Sequence, residues 1–217
     1  MTISENLFKI KSSLPEAVTL VVVTKTQPIE KIMEVYAAGH RIFGENKVQE
    51  MLDKYESLPK DIQWHLIGHL QSNKVKFIAP FVSLIHSVDS LKLLQEINKQ
   101  AQKNNRIINC LLQIYIAKEE TKFGFDFGEA EKLLLSEEYK QLKNIKIVGL
   151  MGMATNTADQ DQIRKEFQSL NTFYKKLQAQ GFPIHILSMG MSSDFTIAIE
   201  NGSNMIRVGS SIFGKRS

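Results

Sequence analysis

Apolar positions along the chain alternate between two periods. Short apolar runs at Val18–Thr24, Arg41–Phe43, Gln63–Ile67, Ser83–Ser87, Ile107–Ile116, Lys146–Leu150, Ile184–Ser188 and Asn204–Val208 read as strands. Between them, Gln27–Ala38, Asn46–Tyr55, Ser90–Lys103, Phe127–Leu135, Ala158–Gln178 and Ser193–Glu200 repeat their apolar residues at helical spacing. Ahead of the first run, Ile3, Leu7, Ile10 and Leu14 mark one face of an additional N-terminal helix. Gly39, Gly181 and Gly202 each stand between a helical stretch and the next strand, where a left-handed residue ends a helix.

Eight such βα units in one uninterrupted chain predict a closed (β/α)8 barrel of the TIM type rather than an open doubly wound sheet. No Gly-x-Gly-x-x-Gly follows the first strand, so the dinucleotide-binding alternative lacks its marker. Without a Pro- or Gly-rich linker or a low-complexity segment, the expectation is a single domain over residues 1–217.

Composition narrows the picture. A chain of 217 residues, 43% hydrophobic and 23% charged, can bury a self-sufficient core. A lone cysteine, Cys110, excludes an intramolecular disulfide and a multi-cysteine metal site, and within its apolar run it reads as a small buried hydrophobe. Apolar runs such as Leu20 to Val23 are too short to cross a bilayer, and Glu5 and Asn6 stand where a secretory signal would be apolar, so a cytoplasmic protein is expected. The net charge of +4 is spread among acids, as in Glu129-Ala130-Glu131-Lys132, which argues against nucleic-acid binding but leaves room for a small anionic ligand.

In a barrel of this kind the chemistry lies at the C-terminal ends of the strands. Lys25 ends the first strand on the side of Val21 and Val23, which face the interior. Most lysines are surface residues whose stems lie along the protein. At the end of a buried strand desolvation instead frees the amine as a nucleophile, the condition for a Schiff base with a carbonyl compound. After the last strand, Gly209, Ser210 and Ser211 offer backbone amides to an anion, and Ser188-Met-Gly190-Met-Ser192-Ser-Asp194 adds hydroxyls after the strand before it. Either loop alone reads equally well as a tight turn. Two adjacent loops opposite a lysine point to a phosphorylated ligand. His65 and His69 share i, i+4 spacing, but Leu66 stands where a zinc protease needs Glu, so no metal is expected. Gly190-Met-Ser192-Ser-Asp194 lacks the second glycine of a nucleophile elbow.

These segments, taken together, resemble the pyridoxal-phosphate homeostasis proteins, the YggS/PROSC family, whose fold is like the N-terminal barrel of alanine racemase. The matching motifs are Val-Val-Thr-Lys25-Thr, Phe43-Gly-Glu-Asn46-Lys-Val-Gln-Glu50, Trp64-His65-Leu-Ile-Gly68-His-Leu-Gln71-Ser-Asn-Lys74 and Ile85-His86-Ser-Val-Asp89. They continue through Glu119-Glu-Thr-Lys122-Phe-Gly124-Phe, Gly149-Leu-Met151-Gly-Met153, Leu187-Ser-Met-Gly-Met-Ser192-Ser-Asp194 and Arg207-Val-Gly-Ser-Ser-Ile-Phe-Gly214. One departure is His69, where many members have proline.

The resemblance implies that Lys25 holds pyridoxal 5'-phosphate as an internal aldimine. It places Ser192, Gly209 and Ser210 at the phosphate, Arg207 at the pyridine nitrogen and Asn46 in the cofactor pocket. An arginine there, unlike an aspartate, does not keep the nitrogen protonated, which weakens the cofactor as an electron sink. The second base that alanine racemase draws from a C-terminal β domain of its neighbouring subunit has no counterpart before Ser217. The resemblance therefore implies a non-catalytic, monomeric protein that buffers or delivers pyridoxal phosphate. Its expected partners are pyridoxal phosphate and the apoenzymes that use it, with no nucleic acid and no membrane. A pyridoxal-phosphate-dependent amino-acid racemase is the alternative, and a cofactor-free Schiff-base aldolase using the same Lys25 is a third class.

Overall fold

In the computed structural model, which describes residues 2–118 and 123–214, eight parallel strands pair in chain order and close into a barrel. They are β1 (Thr19–Val23), β2 (Ile42–Glu45), β3 (Gln63–Leu66), β4 (Leu84–Val88), β5 (Ile108–Tyr115), β6 (Ile145–Met153), β7 (Ile186–Ser188) and β8 (Met205–Val208). Closure runs between β1 and β8, with Thr19 opposite Met205 and Val22 opposite Val208. The barrel read from the hydrophobic pattern is the one observed.

Strand alternation sorts the side chains into two cores. Val21, Leu84, Leu111, Val148, Met151 and Met205 point inward and fill the lower barrel. Leu20, Val22, Phe43, Trp64 and Leu66 point outward, into a larger core beneath the helices. Trp64, Phe43 and Phe167 are fully buried there, each contributing about 1.5–3 kcal/mol relative to exposure. One step nearer the C-terminal ends the interior turns polar. His65, His86, Ser188 and Arg207 stand two residues beyond Gln63, Leu84, Ile186 and Met205 on their strands, and all four are buried. Cys110 is buried as expected, and burial pushes its thiol up.

The outer layer comprises α1 (Ile3–Ser13), α2 (Ile29–Ala37), α3 (Val48–Ser57), α4 (Val75–Ile78), α5 (Leu91–Lys103), α6 (Phe127–Leu135), α7 (Glu137–Lys140), α8 (Gln160–Ala179), α9 (Phe195–Glu200) and α10 (Ser210–Phe213). Thr2 and Glu5 form a capping box that starts α1, and Asp126 and Glu129 form another for α6. Gly39, Gly181 and Gly202 take φ of 82°, 86° and 95°, as their places between helix and strand require. Asn6 on α1 donates to the Ile212 carbonyl at 3.0 Å, which ties the N-terminal helix to the turn after β8. Among the described residues no helix is long and apolar enough to cross a membrane.

Candidate functional site

A cavity of about 520 Å³ opens at the C-terminal mouth of the barrel. Lys25, Asn46, Ser192, Arg207, Gly209 and Ser210 all line it, with Val23, Ile67, Met153 and Met191 as its apolar part. The chain thus gathers into one cavity the six residues that the resemblance points to, while Ser188, Gly190 and Asp194 stand outside its lining.

Lys25 reaches the cavity from the turn after β1. The Thr24 amide continues the sheet by donating to the Gly44 carbonyl at 3.0 Å, and the Gln27 amide returns to the Thr24 carbonyl at 3.0 Å. Between them Thr26 takes φ of 63°, a left-handed conformation that costs a β-branched residue energy. Asn46 follows β2 and rests directly on the next loop, where Gly68 is required. A Cβ at position 68 would lie 2.4 Å from the Asn46 carbonyl oxygen, a contact no side chain can make.

The loops after β7 and β8 are knitted together. The Arg207 amide donates to the Gly190 carbonyl at 3.0 Å, and the Gly209 amide donates to Ser192 Oγ at 3.2 Å. Asp194 accepts the Met191 amide at 2.6 Å and so braces the loop after β7. The Gly209 amide is engaged by Ser192, where sequence reasoning aimed it at an anion; the Ser192 hydroxyl keeps its own hydrogen to donate. Ser193 and Ser211 also line this wall, so hydroxyls join the backbone in its anion-seeking part.

Inside the barrel, leading from β8 through β7 to β4 and β3, runs a buried polar row. Arg207 donates to the Ser188 carbonyl at 2.9 Å, to Ser188 Oγ at 2.7 Å and to the Gly152 carbonyl at 3.2 Å. Ser188 Oγ lies 3.1 Å from His86 Nδ1, and His86 Nε2 lies 3.1 Å from His65 Nδ1. Burial pushes His65 down to about 3 and His86 well below the ordinary imidazole value, so both rings are neutral and share one hydrogen bond. Burial also lowers Arg207 to about 10, which still leaves it charged at neutral pH. Arginine has only donors, so a ligand atom held against it in the cavity would meet a donor and not a carboxylate.

Sequence reasoning missed two features. The polar row is assembled from β3, β4, β7 and β8, and its only local signal is a histidine inside an apolar run, as in Ile85-His86-Ser87-Val88. Lys54, 5% exposed, is an exception to the expectation that nearly every lysine other than Lys25 lies at the surface. His69 stands apart from His65, exposed and 3.3 Å from Asp89. No group of three or more His, Cys, Asp or Glu gathers as a metal site among the described residues. The Glu119 to Lys122 part of its motif lies outside the described residues.

A parallel barrel with a lysine after its first strand, hydroxyl-rich loops after its last two and an arginine between them defines a class. The chain belongs to the family described as alanine racemase, N-terminal domain, which matches residues 1–217, and within it to the pyridoxal phosphate homeostasis proteins. It is 41% identical over 207 residues to the pyridoxal phosphate homeostasis protein of Vibrio alginolyticus, covering 93% of this chain and 88% of that one. It is 42% identical over 196 residues to that of Aquifex aeolicus, covering 89% and 85%. Among solved structures, PipY of Synechococcus elongatus PCC7942 with PLP bound matches with a TM-score of 0.88 at 37% identity, over 98% of this chain and 100% of that one. Alanine racemase of Clostridium difficile 630 matches with a TM-score of 0.84 at 18% identity, over 99% of this chain and 57% of that one, a likeness of fold.

Proposed function

We propose that this protein binds pyridoxal phosphate covalently through Lys25 and serves to hold and hand over the cofactor inside the cell, with residues 1–217 acting as one binding domain. The observation that carries the reading is the convergence of Lys25, Arg207 and the Ser192, Gly209 and Ser210 wall on one cavity. Its volume of about 520 Å³ suits a small cofactor, and its donor set matches this one: an amine for an aldehyde, hydroxyls for a phosphate and a guanidinium for a ring nitrogen. Bound pyridoxal phosphate would supply a carbonyl that condenses with a primary amine and a ring that withdraws electrons. Lys25 holds the carbonyl end, Ser192 and Ser210 the phosphate and Asn46 the side of the ring. Arg207, fixed by Ser188 and Gly152, donates to the nitrogen and keeps its proton. The relatives' shared name and the PLP in PipY support the same reading.

Handing over is favoured above turnover by what lines the cavity. Racemisation needs one proton-handling group on each face of the substrate α-carbon. Among the described lining residues Lys25 is the only amine, imidazole, phenol, thiol or carboxylate. Tyr115 belongs to an adjoining hollow of about 310 Å³ that meets the cavity at Met153 and Met191.

One experiment tests both parts. Protein loaded with pyridoxal phosphate should show a visible absorption band, borohydride should fix the cofactor on Lys25, and Lys25→Ala should abolish both. The same loaded sample, given single-enantiomer alanine or serine in large excess, should change its spectrum or release cofactor without inverting the amino acid. Cofactor trapped on another lysine would remove Lys25 from its role. Many turnovers that vanish in Lys25→Ala would establish the racemase instead.

A further inference from the structure

Behind the Lys25 turn lies a buried ionic cluster that touches none of the cavity. The Lys54 Nζ, on α3, donates to the Thr24 carbonyl at 2.7 Å, to Glu45 Oε1 at 2.7 Å and to Glu50 Oε1 at 2.6 Å. Those bonds use all three ammonium hydrogens. Glu50 Oε1 in turn accepts the Thr26 amide, and Thr24 Oγ1 donates to Glu45 Oε1 at 2.5 Å. Both residues flanking Lys25 are therefore tied to one ammonium, Thr24 directly and Thr26 through Glu50.

Stability alone is a poor reason for this cluster. A buried ion pair gains little over apolar residues of similar volume, because taking the charges out of water offsets their attraction. Met51 and Val48 on the same helix already supply its apolar contacts. What the cluster does hold is a strained backbone: Thr26, at φ of 63°, adjoins the reactive lysine, and such a conformation persists only where its surroundings over-determine it. Glu45 engages through Oε1 alone, while its Oε2 is buried with no hydrogen-bond partner among the described residues. The carboxylate is thus spent on orienting Lys54 and Thr24.

We propose that Lys54 is a positioning residue for Lys25: braced by Glu45 and Glu50, its ammonium pins the Thr24 carbonyl and the Thr26 amide so that the turn presents Lys25 to the cavity. The inference rests on the reading of Lys25 as the cofactor lysine. A lysine left to swing on a loosened turn would still stand near the carbonyl but would seldom meet it in a reactive geometry, and a misplacement of about 1 Å can cost on the order of a hundredfold in rate. Non-covalent holding of the ring and phosphate, which falls to other loops, would be spared.

That split between rate and affinity provides the test. Three proteins are compared: wild type, Lys54→Met combined with Glu45→Gln so that one of the buried charges left behind is removed, and Glu50→Gln. Near-ultraviolet circular dichroism reports folding. The rate at which pyridoxal phosphate becomes fixable by borohydride on Lys25 reports positioning, and calorimetric affinity for pyridoxine 5'-phosphate, which carries an alcohol in place of the aldehyde, reports the cavity. The expected result is linkage slowed roughly ten- to hundredfold in the double variant and less in Glu50→Gln, with pyridoxine phosphate affinity within about threefold of wild type, below 1 kcal/mol. Linkage at the wild-type rate in a folded variant overturns the proposal, and so does an equal loss of pyridoxine phosphate affinity, which would mean that the cluster merely supports the cavity. If the double variant loses its tertiary signal, Glu50→Gln decides by the same two readouts, since its carboxylate is 25% exposed and its loss is better tolerated. A wild-type protein that forms no link on Lys25 would refute the cofactor reading itself, a failure visible in that arm alone.

Discussion

Ser192 has two tasks at the barrel mouth. It accepts the Gly209 amide at 3.2 Å, and at the cavity it lines it keeps a hydrogen to donate. Ser192→Ala removes the donor and leaves the Gly209 amide without its acceptor. A hydrogen bond to a charged group is worth roughly 1.5–3 kcal/mol, so affinity for pyridoxal phosphate should fall about ten- to hundredfold. Pyridoxal without its phosphate should bind the variant and the wild type alike, and a loss shared equally by both ligands would show that Ser192 shapes the pocket and holds no phosphate. At this scale the site was legible wherever chemistry-bearing residues close a strand, because position along a barrel strand fixes which way a side chain faces. That rule found Lys25 and the loop of Gly209, Ser210 and Ser211, while Arg207 came from the resemblance. It could not find Lys54, whose burial depends on Glu45 and Glu50 arriving from another strand and the preceding helical turn, nor the contact of His65 with His86 across two strands.

Among the elements, the eight strands and the longer helices were legible because each shows one face to a core, and the periodicity of that face is local. The structure shifts their ends by a few residues, as at β2, which runs on to Glu45, and at β6, which extends to Met153. The elements that left no pattern are single turns: Ser72–Lys74 leading into α4, and α7 and α10. Three or four residues are too few to repeat a helical period, and packing decides their shape. Loop contacts are equally silent in sequence, and Gly68 shows the consequence. Because a Cβ there would sit 2.4 Å from the Asn46 carbonyl, Gly68→Ala must push the loop after β3 away from the loop after β2. Overpacking of this kind costs about 1–3 kcal/mol. The variant should melt lower than wild type, and it should also bind pyridoxal phosphate more weakly because Asn46 moves with its loop. A variant that melts lower but binds as wild type would take Asn46 out of the cofactor pocket.

For the molecule as a whole, burial of imidazoles sets an acid limit on stability. His40, 6% exposed, is pushed down to about 4 by burial despite a hydrogen bond with the Ile42 carbonyl at 2.9 Å. His65 is pushed down to about 3, and His86 lies well below the ordinary value of 6.5. All three are neutral in the folded protein and protonate near 6.5 once unfolded. As the pH falls through 6.5 the unfolded chain therefore binds protons that the folded chain refuses, and folding stability declines toward the folded values. Each histidine contributes up to about 1.4 kcal/mol per pH unit below its unfolded pKa, so the three together cost about 4 kcal/mol between pH ~7.5 and ~5.5. Glu45 and Asp194 act in the opposite sense, because burial raises their carboxyls above ordinary values of 4.5 and 3.8 and acid neutralises them first in the folded state. The ordinary carboxyl values lie below that interval, and two raised carboxyls do not cancel three imidazoles across it. Urea midpoints of the cofactor-free protein should therefore fall steadily from pH ~7.5 to ~5.5. His40 does not line the cavity at the barrel mouth and packs edge-on against Phe43. His40→Gln should thus remove about a third of the slope and leave cofactor binding unchanged. A midpoint that stays level over this range, or a slope that His40→Gln does not reduce, would mean that these imidazoles accept protons without unfolding, and that the buried row beneath Arg207 is open to water.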